Sequence, residues 1–124
     1  MRTPLALLCA LILAIALANA SDKPEAQPFS VTLQAKKAHE ECVRLEAGQK
    51  RRYHWKSDAP VDFNIHYHRG ADVVYPVKRD AMRGDGGTFT AKTGEDYCWM
   101  WSARDKPAKL EGRIEPGSDP RPGK

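Results

Sequence analysis

Val61-Asp62-Phe63-Asn64-Ile65-His66-Tyr67-His68 alternates without a break: Val61, Phe63, Ile65 and Tyr67 are apolar, and Asp62, Asn64, His66 and His68 are polar. Successive side chains of an extended chain point to opposite faces, so a period of two marks a strand with one face buried and one open. Strands of this kind build antiparallel sheets with a solvated side. Two more segments repeat the pattern. Phe29, Val31 and Leu33 alternate with Ser30, Thr32 and Gln34, and Tyr97, Trp99 and Trp101 share a side opposite Cys98 and Met100. Alternate aromatics on a late strand read as core.

Around these segments, turn signals punctuate the chain in the rhythm of an all-β domain: Ala47-Gly48, Ser57-Asp58-Ala59-Pro60, Arg69-Gly70 and Gly84-Asp85-Gly86-Gly87. Between them lie candidate strands at 41–46, 50–56, 72–78, 88–92 and 109–115. In the first of these Cys42 and Arg44 fall on one face, Val43 and Leu45 on the other. In the third, Val73, Tyr75 and Val77 share a face. Pro76 has no N–H for the ladder and assigns that strand to an edge. Segment 35–41 is the sole helical candidate, and it is too short to stand. The expected architecture is an antiparallel β-sandwich, jelly-roll-like, of about seven to eight strands over residues 29–115.

The chain has 124 residues, and the first twenty read as a secretory signal peptide. Arg2 supplies the positive start, Leu5 to Leu17 is an apolar run too short to span a bilayer, and Ala18-Asn19-Ala20 offers small residues for cleavage. Residues 21–28 (SDKPEAQP) read as a flexible lead-in and 116–124 (PGSDPRPGK) as a disordered tail. The expected location is therefore outside the cytoplasm, periplasmic or secreted, with no membrane-spanning segment in the mature chain. Without the leader, 19 Lys+Arg face 16 Asp+Glu. That excess is far from the dense basic face of a nucleic-acid binder, so nucleic acid is excluded as a partner.

Removing the leader removes Cys9 and leaves Cys42 and Cys98. An even pair in an oxidising compartment reads as a disulfide, with a reactive or metal-ligating thiol pair as the alternative. The bond would close a loop of 57 residues, for which chain entropy gives roughly 4 kcal/mol.

These residues together resemble the GOLD domain, the lumenal β-sandwich of the Golgi cargo-receptor family. The pattern comprises Glu41-Cys42, the turn at Gly48, Val61-Asp62-Phe63-Asn64-Ile65, Gly87-Thr88-Phe89-Thr90-Ala91 and Tyr97-Cys98-Trp99. The resemblance implies a β-sandwich, a Cys42–Cys98 bridge and binding rather than catalysis. The coiled coil and membrane anchor of that family are missing after residue 115, so cargo trafficking is not carried over.

The histidines are the sharpest chemical candidates. If 50–56 and 61–68 form a hairpin through the turn at 57–60, His54 joins His66 and His68 on one polar face, with Asp62 nearby. Three imidazoles and a carboxylate can bind zinc or copper. No histidine follows His68, so the metal motif of a cupin is not completed. Lys50-Arg51-Arg52 beside Tyr53 and Trp55, with Arg69 and Lys78-Arg79, could form a basic patch, but a charged solvated strand is the simpler reading. Gly-x-Ser-x-Gly, His-Glu-x-x-His and phosphate-binding glycine loops are absent, so no catalytic residue is assigned and an enzyme is not expected. The leading expectation is a non-catalytic binding module, without a cofactor, for a protein, peptide or anionic envelope component. Metal binding through His54, His66 and His68 is the first alternative. An enzyme accessory or inhibitor domain is the second.

Overall fold

The alternation of 61–68 extends back through Trp55 and Tyr53, and the chain obeys it over one unbroken strand. The computed structural model describes residues 27–117. It contains six strands: β1 (Gln27–Leu33), β2 (Ala38–Leu45), β3 (Lys50–Arg69), β4 (Asp72–Thr90), β5 (Glu95–Ala103) and β6 (Ala108–Pro116). The signal peptide expected at 1–20, residues 21–26 of the lead-in and 118–124 of the tail lie outside the described residues. Residues 27 and 28 belong to β1, and Gly117 still donates its N–H to the Lys50 carbonyl at 3.0 Å.

All pairings are antiparallel, in the order β1-β6-β3-β5-β2, with β4 on β3 as well. β4 follows β3 from Arg69↔Asp72 to Lys50↔Thr90. The other edge of β3 is shared. β6 takes it from Arg51 to Ser57, and β5 from Val61 to His66. β4 pairs with β3 alone, so Pro76 does sit on an edge strand.

Two corrections to the expected strands follow from this. The turns at 57–60 and 84–87 do not form; four of the expected segments merge into the long β3 and β4, and about seven to eight strands become six. Pro60 is tolerated because residues 58–60 lie between the β6 and β5 pairings, and the β4 register shifts between Lys56 and Val61. A proline there removes no ladder bond. Side chains hold the bend instead. The Asp58 carboxylate accepts the Lys109 N–H at 2.7 Å, Arg83 donates to the Asp58 carbonyl at 2.7 Å, and the Asp62 carboxylate accepts the Ala81 N–H at 2.9 Å.

The bend curls the sheet around its apolar face. Trp55, Val61, Phe63, Ile65, Tyr97, Trp99, Trp101, Leu45 and Leu110 are buried there. Trp55 meets Phe63 at 5.3 Å between ring centroids, Tyr53 meets Trp99 at 6.1 Å, and Phe29 meets Trp101 at 4.7 Å. Pairs like these contribute about 0.5–1.5 kcal/mol each beyond burial. Gly112 lets β1 and β3 close over β6: a Cβ there would lie 2.7 Å from Phe29 Cζ and 2.8 Å from Trp55 Cβ. Cys42 and Cys98 face each other across β2 and β5 and are joined, with Sγ–Sγ 2.07 Å. Among the described residues no helix is long and apolar enough to cross a membrane.

Candidate functional site

The polar residues of 61–68 emerge on the outer, convex face of β3, beside the disulfide. In the register, Cys42 lies opposite Cys98, and Cys98 lies opposite His66, so the three form one row across β2, β5 and β3. The next row is Glu40, Met100 and Asn64. The face was expected to be solvated, yet Asn64 is 8% exposed and His66 only 4%. Strands flank both residues, and the Tyr75 ring of β4 approaches His66 to 5.8 Å. His68, one turn of the pleat further on, is exposed and meets the His66 ring edge-on at 5.3 Å.

Burial forces the His66 ring into a defined set of contacts. Its Nδ1 lies 2.7 Å from the Asn64 Oδ1. An amide oxygen only accepts, so Nδ1 carries the proton and donates it. In the neutral ring Nε2 then presents a lone pair, and the atom it faces is Glu40 Oε1 at 3.3 Å. Burial pushes the His66 pKa below the ordinary histidine value, His68 adds to that shift, and the Glu40 carboxylate opposes it. The outcome is an oriented imidazole beside a carboxylate.

The remaining candidates fall elsewhere. His54 shares the outward parity of His66 but stands on the other side of the bend, opposite Arg113 and Gly86. The hairpin that was to unite the three histidines does not exist, because β3 bends at 57–60 and continues as one strand instead of turning back. His54 therefore does not join His66 and His68. Asp62 also turns away from the histidines, pairing with Arg104 at 2.8 Å. His39 lies on the core side of β2, 2.9 Å from Glu41 and packed against Phe29 and Trp101.

The basic stretch does not gather into a patch. Arg52 pairs with Glu115 at 2.8 Å, Lys56 lies 3.5 Å from Glu111, and Trp55 is buried on the opposite face.

Sequence reasoning missed Glu40, Asn64 as an orienting group, and Tyr75. The parity of Glu40 with Cys42 was readable, but the neighbour of β5 on its far side was not. Tyr75 and Val73 are the exposed large hydrophobic residues among those described, at 46% and 38%. Lys78 lies over the Tyr75 ring at 5.4 Å. Val73, Tyr75, His68 and Lys78 thus share the outer face with the Glu40–His66 pair. Val77, expected on the face of Val73 and Tyr75, instead lies opposite Ile65 and packs against the core, because the β4 register shifts between Ile65 and Tyr67.

No family model matches the chain, and no curated protein matches its sequence. Solved structures do. A mitogen derived from Yersinia pseudotuberculosis superposes with a TM-score of 0.52 at 13% identity, covering 79% of this chain and 91% of its own. A periplasmic inhibitor of g-type lysozyme from Aeromonas hydrophila gives 0.50 at 13% identity over 77% of this chain and 90% of its own. The corresponding inhibitor from Salmonella Typhimurium gives 0.50 at 16% identity, over 76% and 90%. At these identities the likeness is one of fold. It agrees with the all-β architecture and does not distinguish the GOLD type within it.

Proposed function

We propose that this chain is an exported, non-catalytic module that binds a protein partner, and that the bound partner is an enzyme which it inhibits. The observation that carries the reading is the Val73–Tyr75 patch. It is a pair of exposed apolar side chains on an edge strand, with His68 opposite Val73, the His66 ring 5.8 Å from that of Tyr75, and Lys78 over the Tyr75 ring. Aromatic residues with a polar rim are what protein interfaces use as anchors. A strand pinned to a long, continuous partner strand presents them rigidly, which lowers the ordering cost of binding. The disulfide suits an oxidising compartment, consistent with export. Two proteins that share the fold are named as periplasmic lysozyme inhibitors, which makes a lysozyme the first partner to try.

The test is a titration of g-type lysozyme activity with the mature protein. Stoichiometric loss of activity, weakened by at least tenfold in Tyr75→Ala, is the expected result, in keeping with a cost of about 2 kcal/mol at a binding hot spot. Full lysozyme activity at a large excess of the protein would overturn the inhibitor reading. Inhibition untouched by Tyr75→Ala and Val73→Asp would remove the proposed face.

A further inference from the structure

We propose that Glu40, His66 and His68 bind a divalent transition-metal ion, copper(II) or zinc(II), on the outer face of β3, with Asn64 positioning the first imidazole. This goes beyond the partner-binding reading and does not depend on it. Two acceptors face each other at this place. Asn64 Oδ1 takes the Nδ1 proton of His66, so the Nε2 lone pair points towards the Glu40 carboxylate, 3.3 Å away. Lone pair against carboxylate is repulsive unless a proton on Nε2 or a metal ion lies between them.

The separation is the one a shared ion requires. Metal–nitrogen and metal–oxygen bonds of about 2.0–2.2 Å place the two ligand atoms about 3–3.6 Å apart, from square to tetrahedral angles. An imidazole that ligates through Nε2 ordinarily donates its other N–H to an oxygen acceptor, which fixes tautomer and ring plane. Asn64 already does this at 2.7 Å. His68 supplies the third donor. Its exposed ring stands edge-on 5.3 Å from that of His66. The ligand atoms of Glu40, His66 and His68 do not all lie within 4.8 Å of one another, so the site closes only when the His68 ring turns towards the ion. Two imidazoles and a carboxylate leave the remaining positions to water, a donor set suited to copper(II) and zinc(II). The three-histidine set expected from the alternating strand is thereby revised: Glu40 takes the place of His54, because the bend carries His54 away.

The experiment uses the mature, disulfide-bonded protein stripped with chelator. It is titrated separately with copper(II) and zinc(II) in the presence of excess glycine, by calorimetry and native mass spectrometry. One ion of either metal per chain is expected, and the metal that survives the glycine identifies the ion. Glu40→Gln and His68→Ala should each weaken binding by about tenfold or more, and Asn64→Ala by about 10–100-fold as an orienting partner. His54→Ala should bind like the parent. His66→Ala removes a buried ring and can disturb folding, so the test rests on the exposed Glu40 and His68 variants, their fold verified by near-ultraviolet circular dichroism. Failure of both metals to bind stoichiometrically overturns the proposal. So does binding that persists in Glu40→Gln and His68→Ala, or that is lost in His54→Ala.

Discussion

Trp55 and Phe63 lie on the same strand and nonetheless pack against each other, with ring centroids 5.3 Å apart. A straight strand would hold them well over 20 Å apart at about 3.3 Å per residue. Their contact is therefore a direct record of the bend at 57–60, and with Tyr53–Phe63, Tyr53–Trp99 and Trp55–Trp101 it joins the two halves of the sheet. Phe63 takes part in two of these contacts, so its truncation should loosen the junction of the two halves. Phe63→Ala should cost about 3–5 kcal/mol, read as a fall in the urea midpoint with an unchanged slope. A loss under about 1 kcal/mol would mean that the halves are held together by something other than this core.

The Cys42–Cys98 bond spans a sequence separation of 56 residues. Chain entropy assigns such a bridge roughly 4 kcal/mol. The double variant Cys42→Ala/Cys98→Ala should lose about that much, and reductant should destabilise the parent while leaving the variant unchanged. Equal midpoints for parent and variant would show that the register of β2 on β5 needs no covalent help.

Gly112 has room for no side chain. An added Cβ would meet Phe29 Cζ at 2.7 Å, the His54 carbonyl oxygen at 2.8 Å and Trp55 Cβ at 2.8 Å, and two of these three are not flexible ends. Gly112→Ala should therefore destabilise by about 1–3 kcal/mol, as overpacking does, although alanine is ordinarily the better strand residue. Thermal denaturation decides it. A raised Tm would place β1 further from β3 than the structure has it.

Tyr53 carries the clearest pH signature. Burial raises its phenol pKa, the Asp85 carboxylate raises it further, and Arg79 opposes. A folded value above that of the unfolded chain, about 10, means that the contribution to stability is complete below about pH 10. It is lost as pH rises through the folded value. Urea midpoints measured between about pH 8 and 11 should fall in the parent and fall less steeply in Tyr53→Phe. Parallel curves for the two proteins would contradict this assignment.

Much of the molecule was legible before folding. Alternation in 61–68 named the core side of β3, and the same reasoning placed Tyr97, Trp99 and Trp101 inside and Pro76 on an edge. The expected Cys42–Cys98 bond is present. What misled was local turn chemistry. Ser57-Asp58-Ala59-Pro60 and Gly84–Gly87 carry the residues of turns, yet long-range pairing of β3 with β4 overrides them. Turn propensity is worth little against two strands paired along nearly their whole lengths. The candidate site suffered in the same way, since a false hairpin put His54 beside His66.

Side-chain parity follows from covalent geometry. The order of residues is therefore enough to specify an all-β protein, to say which faces of β3 and β5 are apolar, and to make Cys42 and Cys98 available to each other. On β4 a register shift breaks the alternation and leaves Tyr75 outside and Val77 inside. Adjacency between strands distant in the chain is set by packing of the whole core, and no local pattern encodes it. It takes the folded sheet to put β5 between β2 and β3. That placement brings Glu40 across to His66, buries two polar residues on a nominally wet face, and leaves Tyr75 exposed beside them.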